Sequence, residues 1–330
     1  MKREICICDV EKEYAYSLMN VINQHKSHPF TIRAFSSPES LEEYMEDHTV
    51  EVLLISPEFF TEQIRKRSIP HVFLLGGGKR PGAFALPQIN KYQRVDRIMQ
   101  QILEQIGTDG TITGDSSEAK VVAVYSPLHR IGKTSFALAL GQVLGREKKV
   151  LYINLEDFSG FSSIFAREYD SDITDLLYYA RQNQNNFPVH LTMTVQSFQM
   201  MDYIPPARVP LELKAIQLDE WQTFLEQVKD SGFYDVLILD FGDGIQGLLE
   251  LLTACDVIYT PTADDFLSRS KLDHYEEMLE IMDYSEILAH TRKVSLPDPG
   301  MLQESNSYLS EYLWGPMAGY ARTLIEGEYA

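Results

Sequence analysis

Gly132, Lys133 and Thr134 have the clearest chemical signature in this chain, because they stand between an apolar run at 121–126 and a helical pattern at 135–144. A turn between a strand and a helix directs backbone N–H groups and a helix N-terminus at an anion. A lysine in such a turn reaches terminal phosphates, and a threonine hydroxyl binds Mg²⁺. The tripeptide alone is common, so its placement carries the prediction of a phosphate-binding loop that uses His129, Arg130, Ile131, Gly132, Lys133, Thr134 and Ser135.

Two acidic residues follow apolar runs elsewhere in the second part of the chain. Asp240 ends the run 236–239, where an acid can hold Mg²⁺ through water, although a simple strand cap is the alternative. Glu156 follows the run 150–155 and could orient an attacking water, whereas Asp157 reads equally well as a solvated loop acid. We predict catalytic roles for Lys133, Glu156 and Asp240, and Mg²⁺ ligation by Thr134 and Asp240.

Strands and helices alternate along the chain, which predicts an α/β fold with two doubly wound parallel-sheet domains. The first part is predicted to contain strands at 4–8, 30–35, 50–55, 71–75 and near 84–86, with helices at 11–24, from 38, at 57–66 and at 91–106. Residues 108–119 are small and polar, as in a linker. The predicted domains are therefore 1–107 and 120–330, joined by 108–119.

The charge is unevenly divided, and this excludes some classes of partner. The chain carries a net charge of -19, of which residues 1–107 contribute -1 (13 basic, 14 acidic) and residues 108–330 contribute -18 (16 basic, 34 acidic). Such an acidic surface repels phosphate backbones, so we expect no nucleic-acid partner. No apolar run suits a spanning helix, and three cysteines (Cys6, Cys8, Cys255) form no disulfide framework, so we expect a cytoplasmic protein without membrane insertion.

The second part resembles the ParA/MinD-type P-loop ATPases, whose deviant loop reads Lys-Gly-Gly-x-Gly-Lys-Thr-Ser/Thr. The last four positions of that motif match residues 132–135, Asn154 and Glu156 fall on the Asp-x-Asp of the first switch, and Asp240 falls on the Walker B acid. This resemblance implies ATP and Mg²⁺ as ligands and a homodimer that forms around nucleotide. The choice of ATP over GTP comes from the resemblance alone.

The loop departs from the family pattern at several positions. Leu128 occupies the place of the family's additional lysine, and His129 and Arg130 replace two glycines. Arg130 could supply the missing positive charge, since a guanidinium pairs well with phosphate, or it could be a solvated loop residue. Glu156 replaces an aspartate of the family pattern, which places its carboxylate one methylene further from the backbone. We therefore expect slow hydrolysis, and the alternative is a non-hydrolysing scaffold that keeps the loop.

The first part resembles a response-regulator receiver domain of the flavodoxin-like type, without its phosphorylation chemistry. Asp9 follows the first strand, but Ser56 and Gly76 stand where the phosphoacceptor and a hydroxyl residue belong, and Lys91 is only a loose candidate for the lysine. An atypical receiver before such an ATPase resembles the TadZ/CpaE-like pilus-assembly proteins over essentially the whole chain. That implies a docking module and Tad/Flp-type secretion machinery as partner, with recruitment to a cell pole at the inner face of the membrane.

The C-terminal segment 308–325 has helical spacing and holds Trp314. A helix that lies on anionic lipid carries Lys and Arg on its polar face, which this segment lacks. We predict instead that Leu309, Leu313, Trp314 and Ile325 pack on the core of the second domain.

Overall fold

The structure is a computed structural model that describes residues 3–24, 30–76, 86–93, 95–109, 119–165, 168–182, 187–297 and 314–328. The chain forms two compact units. One contains residues 1–113 and 188–193, and the other contains residues 114–187 and 194–330. The domain boundaries expected from the sequence stay a prediction.

The first unit contains a five-stranded parallel sheet in the order β2-β1-β3-β4-β5, which is the doubly wound, flavodoxin-like order. The predicted fold class is therefore confirmed for this unit. Its strands are β1 (Arg3–Cys8), β2 (Phe30–Phe35), β3 (Val52–Ile55), β4 (His71–Gly76) and β5 (Gln88–Asn90). Its helices before the second unit are α1 (Lys12–Gln24), α2 (Pro38–Asp47), α3 (Glu62–Arg65) and α4 (Val95–Asp109).

Helix starts in this unit follow local side-chain chemistry. Ser37 caps α2 by accepting a hydrogen bond from the backbone N–H of Ser40, and Pro38 is the first helical residue. The helix predicted at 57–66 was wrong in extent. Residues 57–59 form a turn in which Phe59 N–H donates to Ser56 O, and Thr61 then caps the short helix α3. The fifth strand lies at 88–90, and residue 86 lies outside any strand. Residues 77–85 fall outside the described residues, so the strand predicted near 84–86 is tested at residue 86 alone.

The second unit contains a seven-stranded sheet in the order β12-β11-β6-β10-β7-β9-β8, parallel except for the edge strand β8. Its strands are β6 (Lys120–Val124), β7 (Val150–Leu155), β8 (Gln196–Phe198), β9 (Met201–Ile204), β10 (Val236–Phe241), β11 (Val257–Thr262) and β12 (Thr291–Ser295). The helices after residue 119 are α5 (Lys133–Leu144), α6 (Phe161–Phe165), α7 (Ile173–Arg181), α8 (Phe187–Thr194), α9 (Pro210–Leu213), α10 (Leu218–Asp230), α11 (Leu248–Thr253), α12 (Phe266–Ile281), α13 (Ser285–His290) and α14 (Pro316–Glu328).

The core of the second unit lies between the central strands and α5. Every residue of β7 and β10 is buried, as expected for parallel strands that are covered on both faces. Phe136 and Leu140 of α5 pack into the cluster formed by these strands. The loops that follow β6, β7 and β10 therefore leave the same, carboxyl, edge of the sheet, where ligands bind in open α/β sheets.

The last helix, α14, packs along α5, with Tyr320 lying 6.4 Å from Phe136 between ring centroids. Ile325 lies against the core as predicted, but the packing of Trp314 was predicted wrongly. Trp314 is 72% exposed and lies under the guanidinium groups of Arg146 and Arg322, because cation–π contacts hold a large ring at the surface. Residues 308–313 fall outside the described residues. Among the described residues, no helix has the length and apolar character needed to cross a membrane.

Candidate functional site

The loop between β6 and α5 has a backbone that is fixed at both ends. At its start, the Ser126 hydroxyl donates to Pro261 O (2.8 Å) on β11 and accepts from the Leu128 N–H (3.2 Å). At its end, Gly132 is left-handed, with φ of 86°, and caps α5 without a side chain. Arg130 is also left-handed, with φ of 58°, which is unfavourable for a residue with a Cβ atom. Glycine would adopt this conformation without that cost, and the loop motif that the sequence resembles has glycine at this position.

Lys133 is the first residue of α5 and is only 6% exposed. Its Nζ donates to Phe241 O at the end of β10 (3.0 Å) and contacts Glu156 Oε1 after β7 (2.8 Å). The Tyr125 ring lies below the ammonium, 5.5 Å from Nζ to the centroid. Two of the three residues predicted to be catalytic thus contact each other directly, and Lys133 reaches the strand that carries the third.

Asp240 is completely buried and pairs in register with Asn154 on the neighbouring strand. Its Oδ2 accepts hydrogen bonds from the Tyr152 hydroxyl (2.8 Å) and from Asn154 Nδ2 (3.2 Å). Its Oδ1 is buried and has no hydrogen-bond partner among the described residues. Burial raises the pKa of Asp240 to about 6, and the Glu156 charge adds to this, while interactions with Thr134, Tyr152 and Lys133 act in the opposite direction.

Tyr152 is a member of this site that the sequence reading missed. Its side chain is completely buried, and burial raises its pKa well above the usual value, so the hydroxyl keeps its proton. The signal was present, because Tyr152 and Asn154 are polar residues two positions apart in an otherwise apolar strand and so share one face.

The loops after β7 and β10 lie close together. A Cβ atom at Gly242 would approach Leu155 O to 3.0 Å and Glu156 Oε2 to 3.3 Å, so glycine allows the close contact. His129 Nε2 lies 3.3 Å from Asp243 Oδ2, which links the first loop to the loop after β10.

Asp157, for which the sequence left a solvated loop acid as an equal alternative, forms an ion pair outside the Lys133 contacts. Its carboxylate pairs with Lys214 Nζ at 2.9 Å, and Lys214 directly follows α9. Both side chains are partly exposed, so the pair contributes little to stability, but it fixes the loop beside Glu156.

The remaining predicted loop residues lie around Lys133. His129 and Arg130 are exposed, whereas Ile131, Thr134 and Ser135 are half-buried at the start of α5. In the described part of the chain, no three His, Cys, Asp or Glu side chains cluster in a way that could hold a metal. Mg²⁺ needs no such cluster, since it is usually bound through one or two carboxylates, water and substrate phosphates. The unpartnered Oδ1 of Asp240, with Thr134 nearby, fits that requirement.

The first unit has a polar cluster of its own at the carboxyl edge of its sheet. Lys91 Nζ contacts Asp9 Oδ1 (3.2 Å) and Glu11 Oε1 (2.7 Å). Burial lowers the pKa of Lys91, but the hydrogen bonds with Glu11 and Asp9 outweigh this and raise it overall. Asp9 Oδ2 and Ser56 Oγ are buried and have no hydrogen-bond partner among the described residues. Lys91, the loose candidate from the sequence, therefore does lie beside Asp9.

Comparisons with known proteins give weak likenesses only. No family model matches the chain, and no curated protein matches it. Among solved structures, a plasmid partition protein from Borrelia burgdorferi is 15% identical, with 64% of this chain and 100% of that chain covered and a TM-score of 0.45. A ParA family ATPase from Chlorobium tepidum is 14% identical, with 64% and 92% covered and a TM-score of 0.46. The MinD cell division protein from Aquifex aeolicus is 17% identical, with 63% and 98% covered and a TM-score of 0.44. At these values the likenesses carry no argument about what this chain binds.

Proposed function

We propose that the second unit binds ATP with Mg²⁺ and hydrolyses it slowly. One observation carries the proposal: Lys133 and Thr134 begin α5 directly after the left-handed Gly132, and next to them the buried Asp240 keeps one oxygen without a partner. An anion is attracted to the N–H groups at the start of the helix, and a cation to the acid. These are the two charges of a magnesium–nucleotide complex.

Each residue has a definite task in this proposal. The N–H groups of residues 131–135 bind phosphate oxygens, and Lys133 exchanges its contact with Glu156 for the terminal phosphate. Thr134 and Asp240 hold Mg²⁺, which neutralises phosphate charge when bound. Glu156, released from Lys133, accepts a proton from the attacking water.

We also propose that the nucleotide complex dimerises through the carboxyl edge of the sheet. Large apolar side chains are exposed in the segments that follow β7 and β11: Phe158 is 88% exposed and Phe266 is 86% exposed. Since β6 and β10 lie between β11 and β7, these side chains emerge on both sides of the Lys133 loop. Burial of these two phenylalanines against a second copy would remove their apolar area from water, which supports an interaction surface here. Sedimentation with and without Mg-ATP tests this: the dimer should form only with nucleotide and should be lost in Phe158→Ser.

The cellular role in this proposal comes from the sequence resemblance. A receiver-like unit without a phosphoacceptor, joined to an acidic nucleotide-binding unit, suits a protein that localises or assembles a Tad/Flp-type pilus machinery through protein contacts. The first unit would dock partners, with no nucleic acid bound. Deletion of the gene from its host should then remove the pili, and a fluorescent fusion should lie at the cell pole. Normal pili in the deletion strain would exclude this role.

Calorimetry with purified protein tests the binding step. We expect Mg-ATP to bind the unaltered protein, and binding to fall at least about 100-fold in Lys133→Met, because a lysine that contacts phosphate is lost from a poorly solvated site. Lys148→Met is the matched control, since Lys148 is exposed near the other end of α5 and should leave affinity unchanged. GTP in the same experiment tests the choice of base. Absence of heat with both nucleotides would exclude the proposal.

A non-hydrolysing scaffold is the second candidate, and the contact between Lys133 and Glu156 favours it, because a carboxylate that pairs with the lysine is held away from water. Phosphate release distinguishes the two. An ATPase loses its turnover in Glu156→Ala but keeps binding, whereas a scaffold shows no rate above that of Lys133→Met.

A further inference from the structure

Three polar side chains lie on one face of the central sheet of the second unit. Tyr152 and Asn154 alternate along β7, and Asp240 on β10 is the register partner of Asn154, so all three project to the same side. Tyr152 and Asp240 are completely buried, and Asn154 is 1% exposed. The apolar core residues that pack against α5 lie on this same face of the sheet. The three polar side chains therefore lie below the start of α5.

The hydrogen bonds in this cluster have one possible direction. Asn154 Oδ1 accepts from the Glu156 N–H (3.3 Å), which leaves its Nδ2 as donor to the Tyr152 hydroxyl (2.8 Å). The Tyr152 oxygen is thus an acceptor from Asn154, and its own proton is directed at Asp240 Oδ2. Tyr152 and Asn154 both act on Oδ2, and neither acts on Oδ1. The Thr134 side chain is a third polar group near this carboxylate, where it lowers the pKa of Asp240, but it makes no hydrogen bond of ordinary geometry to Oδ1.

We propose that Tyr152 is a positioning residue that holds the Asp240 carboxylate so that Oδ1 is the oxygen presented to Mg²⁺ or to a water of Mg²⁺. The inference rests on the proposed function, since it needs a magnesium–nucleotide complex at this edge of the sheet. It goes beyond that function by naming a residue outside the P-loop and the acidic positions. Partners that orient a ligating carboxylate commonly change metal affinity by 10–100-fold.

A purely structural role is the competing explanation. The Tyr152 ring stacks on Phe161, with 5.7 Å between centroids, so a variant that removed the ring would disturb the core. Tyr152→Phe keeps the ring and removes the hydroxyl alone. The experiment therefore depends on this variant, and on a readout that separates Mg²⁺ from nucleotide.

The chain offers a matched control in Tyr203. It lies on β9, pairs in register with Tyr152 and is also completely buried, but its hydroxyl contacts that of Tyr169 at 3.0 Å. Tyr203→Phe therefore makes the same chemical change one strand away from Tyr152.

The test measures ATP affinity in EDTA and then titrates Mg²⁺ into the ATP complex. In Tyr152→Phe we expect ATP affinity in EDTA within about 2-fold of the unaltered protein, and Mg²⁺ affinity about 10-fold weaker. Tyr203→Phe should match the unaltered protein in both. Asn154→Ala, which removes the longer of the two bonds, should give a smaller loss of Mg²⁺ affinity, and it provides a second reading if Tyr152→Phe is poorly folded.

The outcomes separate this inference from the proposed function. If the unaltered protein binds no ATP, the proposed function fails and this inference fails with it. If ATP binding depends on Mg²⁺ but Tyr152→Phe has unchanged Mg²⁺ affinity, only the positioning role is overturned. An equal loss in Tyr203→Phe, or an equal loss of ATP affinity in EDTA, would show a general effect on the fold and would also overturn it.

Discussion

The two units place a lysine and a buried aspartate at the same edge of their sheets, but they connect these charges differently. In the first unit, Lys91 contacts the buried Asp9 itself at 3.2 Å. In the second unit, Lys133 contacts Glu156 at 2.8 Å, whereas the buried Asp240 accepts hydrogen bonds from two neutral groups. Each aspartate has one oxygen without a partner among the described residues.

The difference bears on the ligand binding that we propose for the second unit. When a lysine pairs with the buried acid, the two charges cancel, and a ligand must break a buried ion pair to bind either of them. When neutral donors hold the acid, the lysine and the acid remain separate, one for an anion and the other for a cation. The comparison therefore supports the ligand binding proposed for the second unit, where a ligand has to displace Glu156 from Lys133 but leaves the buried Asp240 with its own partners, whereas in the first unit Lys91 holds the buried acid itself.

The largest expected effect is on the stability of the first unit in Lys91→Met. The change leaves Asp9 buried without its cation, which typically costs about 3–5 kcal/mol. Hydrogen exchange of peptides from β1 and β3 measures the loss within this unit. The double variant Asp9→Asn, Lys91→Met should recover much of it, because no buried charge is left unpaired and Glu11, the other partner of Lys91, is half exposed to water. If Lys91→Met exchanges like the unaltered protein, the first site is not held together by its ion pair.

Asn154→Asp sharpens the comparison in the second unit. A second carboxylate would then face Asp240 in a buried site. We expect the free energy of unfolding to fall by about 2 kcal/mol at neutral pH, because burying an unpaired charge is among the most destabilising single changes. Mg²⁺ should restore part of the loss, so its addition should raise the melting temperature of this variant more than that of the unaltered protein. Asn154→Ala, which adds no charge, is the control and should gain no extra Mg²⁺ response. Equal responses in both variants would argue against a cation at Asp240.

Glu156→Gln tests whether the contact between Lys133 and Glu156 competes with phosphate. The amide removes a negative charge that Lys133 must leave and that repels the nucleotide. We expect ATP to bind about 10-fold more tightly, equivalent to about 1.4 kcal/mol, by calorimetry. Asp157→Asn is the matched control, because Asp157 pairs with Lys214 and not with Lys133. Unchanged or weaker binding in Glu156→Gln would mean that the pair does not oppose binding.

The sequence predicted those parts of the site that depend on local patterns. Continuous apolar runs predicted β7 and β10, and the strand–turn–helix pattern around Gly132 predicted α5. These patterns are visible in the sequence because each one involves residues that are neighbours in the chain. The edge strand β8 and its neighbour β9 escaped prediction. They are only three and four residues long and mix polar with apolar residues. Such short segments show neither the two-residue repeat of a strand nor the 3.6-residue repeat of a helix.

The contacts between strands could not be read from the sequence. The spacing of Tyr152 and Asn154 shows that they share a face of β7, but the role of Tyr152 follows from the register that places Asn154 opposite Asp240. The pairing of Lys133 with Glu156, and of Asp157 with Lys214, likewise joins residues far apart in the chain. In the first unit, Lys91 was only a loose candidate, because its contact with Asp9 depends on where β5 ends.

The smallest expected effect concerns the backbone of the second site, and it separates conformation from charge. Arg130 is left-handed, which costs an ordinary residue about 1–2 kcal/mol, while glycine loses more chain entropy on folding by about 0.5–1 kcal/mol. Arg130→Gly should therefore raise the free energy of unfolding by about 0.7 kcal/mol, the middle of the net range of about 0–1.5 kcal/mol. The loop motif that the sequence resembles has an additional lysine at the position of Leu128. If the Arg130 guanidinium supplies that charge instead, Arg130→Gly should bind ATP several-fold more weakly although it is more stable. Arg130→Asn, which tolerates this conformation and has no charge, should weaken binding equally. Tighter or equal binding in both variants would leave Arg130 as a solvated loop residue, and Lys133 as the principal cation of the site.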